Sequence, residues 1–253
     1  MPNPSLTDKP VFALTVDIDW ASEACIADVL GIASSFGITP TLFMTHRSAC
    51  VDRFVEEHGA QIGVHPNFRR GSTHGSDIAS IVEHCFDLYP TARTFRSHAF
   101  YDSTDILAEM SRRGTRYDSN LCLHLQPSIV PLTLGAEPIV RLPVFWGDDC
   151  HWRSGEHDWD VERLLPHFRT PGLKLIAVHA FNVAFNVPDQ AYYDRHRDQI
   201  QLADADAICA LRWAGQGTRT FLCGLLDALT SSGARFLTLD EIYRKYPPPR
   251  ADV

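Results

Sequence analysis

The chain is 253 residues long, enough for one large domain or two small ones, and its 45% hydrophobic and 21% charged residues exclude a disordered, collagenous or coiled-coil protein. A net charge of -8, with no basic run longer than a pair, argues against a nucleic-acid backbone or an anionic membrane surface as the main partner. The first ten residues carry three prolines and Asp8 before a short apolar run, so no signal peptide is expected, and no run of apolar residues is long enough to predict a membrane span. Seven cysteines are spread singly without a C-x-x-C pair, which fits free thiols in a reducing cytoplasm.

Residues 11–16 read as a buried strand that ends at Asp17. Ile26, Val29, Leu30, Ala33 and Phe36 keep the spacing of one helical face, with Glu23 at its positive end and Gly37 as a left-handed stop. A second strand is expected over 41–45. Val51, Phe54, Val55 and His58 form another helical stripe closed by Gly59, and residues 61–64 lead as a strand to His65. Ser76 is the expected cap of a helix that turns Ile78, Ile81, Val82, Cys85 and Phe86 inward; a strand follows to Arg96, Ser103 caps a helix stopping at Gly114, and 116–118 is strand-like.

From 119 to 172 the prolines at 127, 131, 138, 143 and 166 break this alternation, and the segment reads as an irregular decorated insertion with one strand at 138–142 running into the aromatic and acidic tract 145–149. Regularity returns with a strand at 173–178, a polar helical region over 189–207, an amphipathic helix carrying Leu222, Leu225, Leu226 and Leu229, and a last strand near 235–237. Strands separated by helices predict a parallel sheet. With no linker or shift of composition, a single α/β domain over 1–253 is expected, a parallel barrel or near-barrel with tails at 1–10 and 247–253.

Ligands of parallel α/β folds collect at the carboxyl ends of strands. Here the apolar runs stop at Asp17 and Asp19, at His65 and Asn67, at Arg96 and His98, at Asp118, and at His179. One such residue alone is usually a turn, a cap or a satisfied structural side chain. Carboxylates and imidazoles at several strand ends together make a ligand set for zinc or another borderline divalent ion. The D-x-D of residues 17–19 also occurs in haloacid-dehalogenase-type phosphatases, and Gly147, Asp148 and Asp149 imitate their late motif. That chemistry needs a lysine before the late motif, and none lies between Lys9 and Lys174. A nucleotide-sugar glycosyltransferase would leave His65, His98 and His179 unexplained.

Taken in order, DIDW at 17–20, GVHPNF at 63–68, RSH at 96–98, YDSNL at 117–121, LPVFW at 142–146 with Asp148 and Asp149, and VHAF at 178–181 with Asn186 resemble the polysaccharide deacetylase (NodB homology) family. The likeness is nearest to its WbmS-like branch, associated with bacterial surface-polysaccharide loci. The resemblance implies a distorted (β/α) barrel and metal-dependent hydrolysis of an N-acyl, chiefly N-acetyl, amide on an amino sugar or polysaccharide precursor. It implies Asp17 as general base, Arg96 as the residue orienting it, His179 as general acid, and Asp19 and His65 as ligands of a divalent metal, zinc first. Where the wider family has a second metal histidine, this chain has Arg69. His98 is the preferred third ligand, because a strand end is held more rigidly than a glycine-flanked loop, with His74 the alternative. Ala180 replaces a proline common in relatives. Asn67, Asp118, Trp146 and Asp149 are candidate substrate contacts. Amide or imide hydrolysis of a small nitrogenous metabolite, or noncatalytic carbohydrate binding, are the competing functions.

Overall fold

The structure is a computed structural model that describes residues 6, 8–133, 139–155 and 158–246. Its first strand, β1 (Pro10–Asp17), is buried along nearly its whole length, and the chain then alternates through α1 (Glu23–Ser35), β2 (Thr41–Met44), α2 (Ala49–His58), β3 (Gln61–Val64), α3 (Ile78–Leu88), β4 (Thr94–Phe95), α4 (Thr104–Arg112) and β5 (Tyr117–Asp118). The helices begin and end where the side chains dictate. Ser22, Ser48 and Ser103 accept backbone N–H groups at the starts of α1, α2 and α4, and Gly59 closes α2 at a φ of 66°. The cap of α3 is Asp77 rather than Ser76: Asp77 accepts from the Ser80 amide and Ser80 answers in a capping box, which a serine one residue earlier cannot complete.

The second half comprises β6 (Leu132–Thr133), β7 (Val140–Arg141), β8 (Val144–Gly147), α5 (Asp148–Arg153), α6 (Val161–Arg169), β9 (Gly172–His179), α7 (Ala180–Ala184), α8 (Gln190–His196), α9 (Ala205–Leu211), α10 (Thr218–Ser231) and α11 (Leu239–Lys245). The segment 119–172 is therefore not irregular throughout, because it holds β8, which pairs in parallel with β9 just beyond it, and the helix α6 that connects the two. Its prolines misled: Pro143 stands just before β8, where no ladder bond is lost, and Pro166 is accommodated inside α6. The tract 145–149 is a fully buried strand running into a helix. Of the strand expected at 138–142, Val140 and Arg141 pair, and Pro138 lies outside the described residues. Residues 1–5, 7 and 247–253 of the two expected tails lie outside them as well. At 235–237 there is one parallel bridge, Phe236 to Phe12, and no strand.

One curled sheet results, in the order β6-β7-β5-β4-β3-β2-β1-β9-β8, parallel except where β6 meets β7. The chain leaving β5 links back to the edge strand β8: Leu123 N–H donates to the Val144 carbonyl at 2.9 Å, Val144 N–H to that of Leu121 at 2.8 Å, and Leu125 N–H to that of Phe145 at 2.8 Å. The longest ladder pairs β1 with β9 from Pro10 opposite Gly172 to Asp17 opposite His179. All the candidate strand-end residues are thereby brought to one rim.

Gly63, two residues before His65, is needed for its small size. A Cβ there would stand 2.7 Å from the Phe43 ring and 2.8 Å from the Thr94 methyl, both packed in the core. Gly63→Ala is expected to cost about 1–3 kcal/mol in denaturant unfolding by overpacking. Gly31→Ala, in α1 with nothing within 4 Å, is expected to stabilise by about 0.5–1 kcal/mol through helix propensity. Equal effects from the two substitutions would contradict this account of the packing beneath His65.

Candidate active site

β1 delivers Asp17 to the rim as a residue only 3% exposed, and a buried carboxylate requires partners. Arg96, itself buried, supplies one: Nη1 donates to Asp17 Oδ1 at 2.8 Å and to Thr15 Oγ1 at 3.0 Å. The same guanidinium donates through Nε and Nη2 to the carbonyl and hydroxyl of Ser119 and lies over the Phe43 ring at 4.5 Å. Asp17 is thus held through Oδ1 alone. Its Oδ2 faces the cleft, 3.8 Å from His179 Nε2.

Two residues on, Asp19 and Trp20 both take left-handed backbone, with φ of 43° and 57°, which costs a non-glycine residue about 1–3 kcal/mol. The turn is held by the Trp20 amide donating to Thr45 Oγ1 at 2.9 Å. It aims Asp19 at two imidazoles: His65 Nε2 lies 2.9 Å and His98 Nδ1 3.0 Å from Asp19 Oδ1. His98 sits at the start of a 3₁₀ turn whose Ala99 and Phe100 are also left-handed, and the Ser97 amide before it is anchored to Asn120 Oδ1 at 2.9 Å. Burial opposes the charge on Asp19, yet His65 and His98 outweigh it and hold the carboxyl well below its ordinary range. Burial likewise opposes the charge on His98, and Asp19 raises its pKa in spite of it.

Asp19, His65 and His98 place one donor atom each within 4.8 Å of the others. Both ring nitrogens of buried His65 lack a hydrogen-bond partner although Nε2 is so near Asp19, because the two atoms are not aligned for a hydrogen bond. Two lone-pair donors that approach without bonding to each other suit a shared cation, so an oxygen–nitrogen ligand set for a divalent ion fits here. His74 is turned elsewhere. Its Nδ1 accepts from the Asn67 amide at 3.3 Å and lies 3.6 Å from the Cys85 thiol, and its ring stacks on His84 with centroids 5.0 Å apart.

Across the rim, β9 ends in His179. Its Nδ1 is 2.7 Å from Asp148 Oδ1, which also accepts the Asp149 amide, while Asp148 Oδ2 accepts the His179 amide at 2.9 Å and Asn182 Nδ2 at 3.1 Å. A carboxylate has about four acceptor positions. Those of Asp148 are filled, so although Asp148, Asp149 and His179 also approach one another closely, Asp148 orients the imidazole and has none left for a metal. The bond fixes the Nδ1–H tautomer and turns Nε2 toward Asp17 and Asp19, 3.8 and 3.6 Å away. Burial disfavours the imidazolium, but Asp148, Asp19 and Asp149 together raise the His179 pKa well above its usual value.

A cleft of about 220 Å³ opens over these groups. Asp149 lines it, beside Arg153 at 3.3 Å. The other expected substrate contacts are placed differently. Asp118 is fully buried and bound by Arg141 through both oxygens, at 3.0 and 2.9 Å, with Arg141 also meeting Asp102. Trp146 is fully buried in β8, its ring 4.9 Å from Phe221 and 5.7 Å from His151, and Asn67 uses its side chain to accept the Arg69 amide at 3.1 Å. The aromatic walls of the cleft are instead Phe100, Trp152 and Tyr193. Asp148 and Asn182, which join the hydrogen bonds around His179, are not among the candidates the sequence offers. Asp148 follows the same strand-end rule as Asp17 once β8 is known to be a strand.

The model of the family described as WbmS-like polysaccharide deacetylase matches residues 14–197, a span that includes every residue of the cluster from Asp17 to His179. The chain belongs to that family. A protein of Bordetella bronchiseptica assigned as a polysaccharide deacetylase involved in O-antigen biosynthesis, WbmS, superposes with a TM-score of 0.75 at 26% identity over 86% of this chain and 90% of that one. The 4-alpha-glucanotransferase of Thermococcus litoralis shares the fold alone, at a TM-score of 0.52 and 12% identity over 94% of this chain and 40% of that one. A family 4 carbohydrate esterase from Bacillus anthracis lies further off, at a TM-score of 0.47 and 14% identity over 94% of this chain and 84% of that one. No curated protein matches. Among the described residues of this WbmS-like chain, no helix is long and apolar enough to cross a membrane.

Zinc content after metal loading and desalting tests the ligand set. Asp19→Ala, His65→Ala and His98→Ala are each expected to lose the ion, since three protein ligands are the minimum for such a centre, and His74→Ala to retain it. Retention by any of the first three removes that residue from the set. His74 gives a separate signature in stability. Burial, with nearby His84 and His65 adding to it, pushes its pKa down to about 4, so between about pH 4 and the unfolded value near 6.5 only the unfolded chain takes up this proton. Stability should therefore be complete above about pH 6.5 and fall as the pH drops toward about 4. His74→Ala is expected to lose about 1–3 kcal/mol less than the parent between pH 7 and pH 4.5 in urea unfolding, and equal losses would place the acid sensitivity elsewhere.

Proposed function

We propose that this polysaccharide deacetylase family member is a metal-dependent hydrolase that removes an acyl group, chiefly acetyl, from the nitrogen of an amino sugar in a polysaccharide or its precursor. The observation that carries the reading is the placement of His179 Nε2 opposite the open oxygen of Asp17, each side chain held from behind by a dedicated partner. When bound by Asp19, His65 and His98, a divalent ion, zinc first, supplies Lewis-acid polarisation of the acyl oxygen and lowers the pKa of the attacking water.

Asp17 Oδ2 takes the proton of that water as its oxygen bonds to the acyl carbon. Arg96 holds Oδ1, so the carboxylate cannot rotate away from the cleft. The amide carbon–nitrogen bond then breaks while His179 Nε2 donates a proton to the nitrogen, which leaves as an amine rather than as an amide anion. Asp148 keeps the ring in the donating orientation and favours the protonated form needed at the start. Acetate and the free amino sugar are the products. Seven free thiols fit a reducing compartment, and we place the protein in the cytoplasm.

With acetate release from N-acetyl oligosaccharides as the readout, Asp17→Asn should bind zinc as the parent does and lose about 100- to 10,000-fold in kcat. His179→Ala should lose a similar factor on the amide and much less on p-nitrophenyl acetate, whose leaving group needs no proton. Equal losses on amide and ester would remove His179 from the proton-donor role. A parent protein that takes up zinc and binds sugars yet releases no acetate would be a binding relative instead.

A further inference from the structure

Arg69 lies four residues after His65, and its side chain lines the cleft together with Asp17, Asp19 and His179. It also lines an adjoining groove of about 570 Å³ with Phe68, Arg70 and Tyr101, so it stands where the two cavities meet. The loop that carries it is anchored on both sides: the Arg69 amide donates to Asn67 Oδ1 at 3.1 Å, and the Ser72 amide to the Arg69 carbonyl at 3.1 Å. Nothing among the described residues pairs with the Arg69 guanidinium. The carboxylates of the groove are engaged elsewhere, because Asp77 caps α3 and Asp102 pairs with Arg141 at 2.8 Å. The arginines on the far side of the cleft differ, since Arg153 has Asp149 at 3.3 Å and Arg197 has Asp194 at 4.0 Å. Beside Arg69 the rings of Phe68 and Tyr101 lie 6.5 Å apart, and Tyr101 is half exposed, an aromatic surface of the kind on which a sugar ring rests.

We infer that Arg69 binds a negatively charged substituent, a carboxylate or a phosphate, on the unit next to the acylated sugar, so that the substrate is an acidic glycan or a glycosyl phosphate. The inference rests on the proposed deacetylase reading and narrows its substrate. The planar guanidinium fork matches either anion through paired charge-assisted hydrogen bonds. Four aspartates and four arginines line the cleft, and of those arginines Arg96, Arg153 and Arg197 each face an aspartate, so Arg69 is the one whose charge is left to meet an anionic substrate.

The test is calorimetric binding to the zinc-loaded protein at low salt, with three probes: a hyaluronan tetrasaccharide, in which N-acetyl sugars alternate with uronates, its carboxyl methyl ester, and UDP-N-acetylglucosamine. One of the two anionic probes is expected to bind about tenfold or more tightly than the ester, by an advantage that shrinks with salt. Preference for the tetrasaccharide identifies the anion as a carboxylate, and preference for the nucleotide sugar identifies it as a phosphate. Arg69→Gln is expected to bring the anion-over-ester ratio near one. Arg53→Gln, an equal charge change on the exposed face of α2, is expected to leave the ratio as it was. Equal affinity for all three probes, no binding of any, or an unchanged ratio in Arg69→Gln overturns the inference. An Arg69-dependent preference in a protein that releases no acetate overturns the deacetylase reading and leaves the anion site standing.

Discussion

The parallel pairing of β1 with β9 is the constraint on which the site depends. Eight consecutive residues of each strand face one another in register, and the last pair is Asp17 opposite His179. Because side chains alternate faces along a strand, a slip of one residue would turn either of them away from the cleft. Burial prevents the slip: both strands are enclosed and largely apolar, and any other register would part buried Asp17 from Arg96 and buried Lys174 from Thr170. The distance between the proposed base and acid is therefore set by the hydrophobic core rather than by any contact the two make with each other.

Three buried carboxylates illustrate how partners divide structural from chemical roles. Arg141 binds both oxygens of Asp118 with the Asn120 amide joining on one of them, and the residue serves to tie β5 to β7. Asp148 is equally saturated, but two of its four donors belong to His179, so its rigidity is passed on to that imidazole. Asp17 alone is held by one oxygen and keeps the other open to the cleft. The difference lies in the number and direction of donors around each group, since all three are almost equally hidden from solvent. Truncating the arginine behind either Asp17 or Asp118 would strand a buried charge, a loss of about 3–5 kcal/mol in comparable cases.

The group formed by Asp19, His65 and His98 depends on backbone that most residues avoid. Asp19, Trp20, Ala99 and Phe100 all have positive φ, and they flank the two loops that bring Asp19 and His98 to the same point as His65. Such backbone persists only when surrounding contacts compel it. Here the Thr45 hydroxyl, the Asn120 side chain and the packing of Trp20 between His74 and His98 provide that compulsion. His74 thus supports the loop against the ring of Trp20, with its Nδ1 engaged by the Asn67 amide and the Cys85 thiol.

The sequence by itself determined the alternation of strands and helices through residue 118, the parallel sheet, and the line of polar residues at strand ends from Asp17 to His179. Each of these follows from local periodicity, capping residues and the point at which an apolar run stops, all of which are properties of neighbouring residues. It is silent where proline has two meanings, so that β8 reads as part of an irregular insertion and the strand end at Asp148 is hidden. Only the tertiary structure showed that His98, and not His74, gathers with Asp19 and His65, because both are histidines in short loops and the grouping depends on the direction of a ring. It likewise settled that Asp118 and Trp146 face inward while Asp149 and Trp152 face the cleft. For a strand buried on both faces, alternation carries no record of which side holds the ligand; that is decided by what packs against each face, and the partners, Arg141 and Phe221 among them, come from distant parts of the chain.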